Sequence, residues 1–504
     1  MRKAMVWVFS VVLLVTFFGM TEVAQAASQS WQDWGKRMNV QTDKVWTIQL
    51  NTPVKPESVN KDQVYVENSS SGERHAVTLQ QTEDKKAIRV VPSQDYTVGQ
   101  TYTLYVKQGL RSEQGNKPME FSVKKSFNVS RDYQIAKMSG KDSYTYGRSF
   151  DTFAEAKADA LQDGSEVIFY RNEVVWIPEG LARTKKFTIL YADKNLNSSV
   201  TYVNSDAELE YIGSEGGNSL KVRLAGEVLY VKPTDVYLLP PQFIDGQSYY
   251  TNQNGELVHH LFYNGYYVSY TYGDAPESMA EGEKVYTPDG IVHLNDTDTP
   301  MFNQLSLKTK TDYTAEDIDQ YIKENAPNSP LVGQGEAFMK AQEKYGVNAL
   351  YLMAHAIHES AWGLSRIAQD KNNFFGLNAS DDNPYVNADK FISVEANILY
   401  AAQFVSQNYL GEIGTDYRSN GDYLGNKAEG MNVKYASDPY WGQKIAGHMY
   451  RADNWLGNKD RNLLTGEPDP VADAGEKEEP QAGEKDFSDK EEGTTDVETS
   501  SESN

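Results

Sequence analysis

The 504-residue sequence contains no cysteine. That absence excludes disulfides, thiolate nucleophiles and thiolate metal sites together. Basic surface is also scarce, with 48 Lys+Arg against 71 Asp+Glu and a formal charge of −23. Sequence-independent nucleic-acid binding needs cationic surface to neutralise phosphates, so no nucleic-acid partner is expected. The seven histidines are scattered. Only His355 and His358 lie close together, without the further ligands a zinc motif requires, and neither a metal nor another cofactor is expected. Beyond the first twenty residues no stretch approaches the roughly 18 apolar residues that cross a bilayer.

What is present begins with an address. Arg2 and Lys3, the apolar run Ala4 to Phe18 and the small-x-small triplet Ala24-Gln25-Ala26 read as a signal peptide over residues 1–26. The chain is therefore expected to be secreted, with no membrane partner once the signal is removed. A large exported protein without disulfides fits a bacterium with an external wall. At the other end, residues 459–504 read as an acidic tail. From Gly466 onward it holds fourteen acidic residues and three lysines with almost no large apolar side chain, too little to bury a core. A mean hydropathy of −0.61 and 33 tyrosines describe a wet surface rich in amphipathic rings.

Between these ends, length predicts several folding units. Short alternating runs separated by Asn, Asp, Gly, Ser and Pro recur over Lys44 to Phe127, which predicts a β-sandwich over residues 27–130. Val45-Trp46-Thr47-Ile48-Gln49-Leu50 and Tyr96 to Leu104 resemble the bacterial Ig-like modules of surface proteins. Residues 131–240 read as an SH3-like β module, with Leu220–Val231 as a hairpin turning at Gly226. Residues 241–300 read as a further small β module after the hinge Pro240-Pro241. Its tyrosines Tyr263, Tyr266, Tyr267, Tyr270 and Tyr272 either stack sugars or fill sheet faces, and the second reading is the more general one.

After Tyr313 the period becomes helical. Thr314 followed by Glu316 and Asp317 marks a helix start, and Gly335–Lys344, Asn348–Glu359 and Ser393–Tyr409 read as further helices. Leu350, Met353, Ala354 and Ile357 recur at i, i+3, i+4 and i+7 and give one of them a buried face. Glu359 closes that helix. Both the negative end of the helix dipole and apolar neighbours favour a protonated carboxyl, as a general acid at neutral pH requires. A glutamate near a helix end is ordinarily a solvated residue, and the decision rests on what surrounds it.

Three motifs stand in order: Ala356-Ile357-His358-Glu359-Ser360-Ala361-Trp362-Gly363, Asn372-Asn373-Phe374-Phe375-Gly376-Leu377, and Tyr435-Ala436-Ser437-Asp438-Pro439-Tyr440-Trp441. Over about Phe302 to Trp455 they resemble the glucosaminidase domain of bacterial autolysins, the endo-β-N-acetylglucosaminidases of glycoside hydrolase family 73. The resemblance implies an α-rich lysozyme-like catalytic domain (residues 301–458) following all-β modules. It also implies cleavage after N-acetylglucosamine in the glycan strands of peptidoglycan, at the cell wall, with Glu359 as general acid and Tyr435 positioning substrate or water. The second carboxylate stays open among Asp381, Asp382 and Asp389. Asp381 aligns best, and the substrate's own N-acetyl group is the alternative; Asp438 reads as an Asp-Pro turn.

Trp362, Asn373, Phe375, Tyr440 and Trp441 are the expected substrate-binding residues, with Tyr440 and Trp441 in the cleft and one of Phe374 and Phe375 in the core. His358 points about 100° away from its neighbour Glu359, so a buried or hydrogen-bonded role suits it better than a dyad. A lytic transglycosylase, or a silent wall-binding adhesin on the same fold, are the competing readings. A monomer is expected, with the motif domain separable as a fragment from Phe302 to Trp455.

Overall fold

The computed structural model describes residues 13–15, 31–287, 301–379 and 383–464. The expected signal segment (apart from 13–15), the tail beyond 464, and Asp381 and Asp382 lie outside the described residues. Among the described residues no helix is long and apolar enough to cross a membrane.

The first unit is the expected sandwich. One sheet runs in the order 13–15, Trp46–Leu50, Ala87–Pro92 and Val77–Gln81. The other runs Trp31–Val40, Ser122–Val129, Thr101–Val106, Val64–Asn68 and Arg74–His75. Strict alternation turns Trp46, Ile48 and Leu50 inward. There Trp46, Tyr96, Tyr102 and Phe127 pack ring against ring.

The second unit joins two sheets around one core, and so exceeds a single small barrel. A four-stranded sheet (Ser143–Phe150, Tyr133–Gly140, Glu166–Tyr170, Glu173–Trp176) carries helix α1 (Phe153–Asp159), started by a Thr152/Glu155 capping box. A seven-stranded sheet follows, in the order Ser199–Val203, Thr188–Tyr191, Glu227–Val231, Leu220–Leu224, Glu208–Ser214, Leu181–Thr184, Val236–Leu239. The expected hairpin is there. Leu224 pairs with Glu227, and Ala225 and Gly226 both take positive φ, as a tight two-residue turn demands.

A buried arginine ties this unit to the next. Arg183, 1 % exposed, donates to Asp245 (2.6 Å), to Glu208 (3.3 Å) and to the Gly246 carbonyl, with the Phe262 ring 5.0 Å from its guanidinium. Burial pushes the Glu208 carboxyl up to about 7, opposed by Arg183 and by the Ser248 N–H.

The third unit is an antiparallel sheet in the order Tyr266–Asp274, Glu256–Tyr263, Tyr249–Gln253 and Lys284–Tyr286. It does not stand alone. Tyr250, Leu257, Tyr272 and Met279 belong to the same core as the helical residues Phe338, Leu350 and Met449. The helices are α2 (Ala315–Asn325), α3 (Gly335–Tyr345), α4 (Ala349–Ser360), α5 (Arg366–Lys371), α6 (Pro384–Asn387), α7 (Val394–Asn408) and α8 (Trp441–Leu456).

Helix α8, absent from the sequence expectation, joins the helices to the third sheet. It packs on α4 on one side and on Tyr266–Asp274 on the other. Gly447 permits the second contact, because a Cβ there would sit 2.1 Å from the Thr271 carbonyl oxygen. Tyr250 and Tyr270 both donate to Gln443, and Tyr450 donates to Asp274. The tyrosine cluster divides accordingly: Tyr270 and Tyr272 serve the junction, while Tyr266 and Tyr267 are exposed.

The expected boundary at residue 300 is thus crossed by a single core. A fragment starting at Phe302 uncovers the apolar surface that Tyr250, Leu257, Tyr272 and Met279 protect. It is expected to lose cooperative thermal unfolding, whereas a fragment starting at Asp245 keeps it; equal melting of the two would refute the shared core.

Candidate active site

Helix α4 is enclosed along nearly its whole length: every residue from Ala349 to Ile357 is buried, not only the predicted face. Asn348 caps its start by accepting the Tyr351 N–H at 2.7 Å. Its end is abrupt. Ala361, Trp362 and Gly363 take φ of +50°, +62° and +75°, a left-handed run costly for the first two. The run is held by Trp362 N–H donating to the Ile357 carbonyl and Gly363 N–H to Ser360 Oγ. Glu359 therefore sits one residue before a fixed turn.

The Glu359 side chain is 26 % exposed. Its Oε1 accepts the indole N–H of Trp441 at 2.7 Å. On the other side lies the backbone of Gly376, where φ is +62° and a Cβ would come 3.3 Å from Oε2. Burial raises the Glu359 pKa above the ordinary 4.5 and Asp438 adds to the rise; the Trp441 donor and Lys444 oppose it. The balance favours a carboxyl that keeps its proton longer than a solvated glutamate.

His355, one helical turn before Glu359, shares its face of α4. It is fully buried, with Phe375, Tyr435 and Trp441 edge-on to its ring. Burial, with His358 adding, pushes it down to about 3, so the ring is neutral at ordinary pH. Its Nε2, 3.7 Å from Glu359 Oε1, makes no ion pair there. Instead Nδ1 lies 3.0 Å from Tyr351 Oη and Nε2 3.3 Å from Tyr435 Oη. Burial holds the Tyr435 hydroxyl well above its usual pKa, so it stays protonated. Its ring stacks on Trp441 with centroids 4.4 Å apart.

The arrangement joins a proton-retaining carboxyl, a neutral imidazole and a phenol in one half-dry cluster. Such a group can donate a proton to a leaving oxygen and orient a polar group beside it.

The expected site residues fall into two sets. Glu359, Tyr435 and Trp441 are brought together, though Trp441, only 3 % exposed, holds the acid and offers no open sugar platform. Phe375 is buried behind His355, and Phe374 is buried as well. Asn373 is buried with its amide spent on the loop: it donates to the Leu377 and Asp389 carbonyls and accepts the Leu377 N–H. Tyr440 is buried edge-on to His259. It lines a cavity of about 200 Å³ together with Asp438, Lys444, Asn204 and Leu261.

Trp362 remains half-buried against Tyr321 and His448. Asp438 pairs with Lys444 and accepts the Tyr440 N–H, as its turn position suggested. Asp389 holds Asn378 at 3.0 Å. The sequence reading missed His355 and Gly376. The i, i+4 spacing to Glu359 would have singled out the histidine.

Fold and site together define a modular protein in which β units carry a helical domain with a shielded carboxyl at the end of its central helix. Residues 335–454 match the family described as mannosyl-glycoprotein endo-beta-N-acetylglucosaminidase, and residues 35–129 match the bacterial Ig-like domain. The chain thus contains a glucosaminidase domain preceded by an Ig-like domain.

It is 38% identical over 244 residues to a Streptococcus pneumoniae protein named "Putative endo-beta-N-acetylglucosaminidase", covering 48% of this chain and 35% of that one. It is 28% identical over 162 residues to "Beta-N-acetylglucosaminidase" of Bacillus subtilis, covering 30% and 18%. The chain spans about a third or less of the length of these relatives. Among solved structures, Autolysin E of S. aureus aligns at 24% identity and a TM-score of 0.26, covering 35% of this chain and 83% of that one.

Trp441→Phe removes the donor that favours the charged carboxylate and leaves the burial. The Glu359 pKa is then expected to rise further, moving the alkaline limb of kcat/KM to higher pH. An unmoved or lowered limb contradicts the role given to the indole.

Proposed function

We propose that this chain is a secreted, wall-associated peptidoglycan hydrolase that cleaves the β-1,4 bond after N-acetylglucosamine, with Glu359 as general acid. The observation that carries the reading is the Glu359 carboxyl itself. It lies at the C-terminal end of a buried helix, in the span matching the glucosaminidase family, and its pKa is raised by burial. The helix dipole there also favours the neutral acid. Protonated Glu359 donates to the glycosidic oxygen, and Tyr435 orients the water or the N-acetyl group that completes the displacement.

Asp381 serves as the base on the opposite sugar face, which requires about 6.5 to 9.5 Å between the two carboxyls. Names of relatives that specify glucosaminidases and autolysins support the substrate class.

Glu359→Gln keeps the shape of the side chain and removes its proton. Hydrolysis of purified peptidoglycan is expected to fall by about 10² to 10⁴ or more while the fold persists; above roughly a tenth of the wild-type rate, Glu359 is not the acid. Mass spectrometry of the wild-type digest should show reducing N-acetylglucosamine ends. Anhydro-muramic ends would instead identify a lytic transglycosylase, and an inert wild-type protein a wall-binding adhesin.

Asp381→Asn should cost about as much as loss of the acid, and the wild-type product should have inverted anomeric configuration. A near-normal rate in that variant with a retained anomer would assign the displacement to the N-acetyl group.

A further inference from the structure

The segment that carries Tyr435 has almost no regular structure, only the single turn Met431–Val433 before α8. Its carbonyls are nevertheless held nearly one by one. Lys427, 1 % exposed, donates from Nζ to the carbonyls of Asn432 and Ala436, each at 2.7 Å. Asn432 Nδ2 donates to those of Asp438 (3.1 Å) and Pro439 (3.2 Å).

The other donors come from the second β unit, more than 200 residues earlier. Thr201 Oγ1 donates to the Val433 carbonyl at 2.8 Å, Tyr202 Oη to that of Lys434 at 2.7 Å, and the Asn204 N–H to that of Ser437 at 2.9 Å. The Tyr202 ring also lies 4.9 Å from Lys427 Nζ, closing the brace from outside.

A spacer or a wall-binding module has no need of buried hydrogen bonds into a catalytic loop. We propose that the second β unit is a positioning part of the catalytic centre. On this view Thr201 and Tyr202 hold the two carbonyls preceding Tyr435, and so fix the Tyr435 hydroxyl against His355 and its ring against Trp441. The inference rests on the role given to Tyr435 under Proposed function. Its physical basis is that a reacting group displaced by about 1 Å can lose up to a hundredfold in rate, and that loop backbone left to water would adopt many conformations. Neither Thr201 nor Tyr202 touches substrate in this scheme; both act through the loop.

The test uses the full chain on soluble glycan fragments. Thr201→Val/Tyr202→Phe removes both side-chain donors and keeps both shapes, while Thr201→Ser keeps its hydroxyl. The double variant is expected to lose roughly tenfold to a hundredfold in kcat, with KM and sedimentation with purified walls unchanged. Thr201→Ser should retain the wild-type rate. In a Tyr435→Phe background the double variant should cost much less than in the wild type, because the brace then has only the ring left to position. If the double variant fails to fold, Tyr202→Phe alone, which removes one oxygen, carries the same comparison.

A wild-type kcat in the double variant beside an impaired Tyr435→Phe enzyme would overturn the brace and leave the role of Tyr435 standing. Losses that add in full to that of Tyr435→Phe, or a change confined to KM or wall sedimentation, would also overturn it. A Tyr435→Phe enzyme with the wild-type rate would remove the role of Tyr435 and the brace with it.

Discussion

One hydrogen bond organises the rest: the Trp441 indole N–H on Glu359 Oε1, joining the first residue of α8 to the penultimate residue of α4. Burial alone would make the carboxyl hard to ionise when it must give up its proton, and solvent alone would ionise it too early. The indole stabilises the charged form inside an environment that otherwise penalises it, so the group can hold a proton and still release it. The same ring stacks on Tyr435 and stands edge-on to His355. The position of Trp441 therefore sets the acid and its polar neighbours together.

Because Trp441 opens α8, whatever places α8 places the acid. That helix is wedged between α4 and the third β unit, with Gln443 receiving two tyrosine hydroxyls and Gly447 admitting a strand backbone. The loop before it is bonded from the second β unit. The Arg183 cluster locks the two β units to each other through Glu208, Asp245 and the Gly246 carbonyl. The second β unit, with its own core, is thus bonded both to the third sheet and to the loop before α8, while the third sheet and the helices share one core. The Ig-like sandwich likewise has a core of its own.

Much of this was legible in the chain. Alternation of Trp46, Ile48 and Leu50 gave the sandwich, Gly226 gave the hairpin, and the helical period plus its terminal acid gave α4 and Glu359. Helix α8 was hidden, because Gly442 and Gly447 weaken its helix signal and its polar positions face a sheet instead of water. Tyr440 and Trp441 read as cleft aromatics since an aromatic beside a catalytic motif looks the same whether it meets a sugar, a carboxylate as Trp441 does, or an imidazole as Tyr440 does. The crossing of residue 300 by the core was hidden for a different reason: pattern reports which residues are buried, not against what.

The central claim is that burial raises the proton affinity of the Glu359 carboxyl and that Trp441 limits the rise. The direct measurement is its titration in the folded protein, by carbon-detected NMR of labelled glutamate assigned by comparison with Glu359→Gln, repeated in Trp441→Phe. The account predicts a midpoint above the 4.5 of an ordinary glutamate, and a higher one still in Trp441→Phe. A midpoint at or below 4.5, or one that falls when the indole is removed, would contradict it.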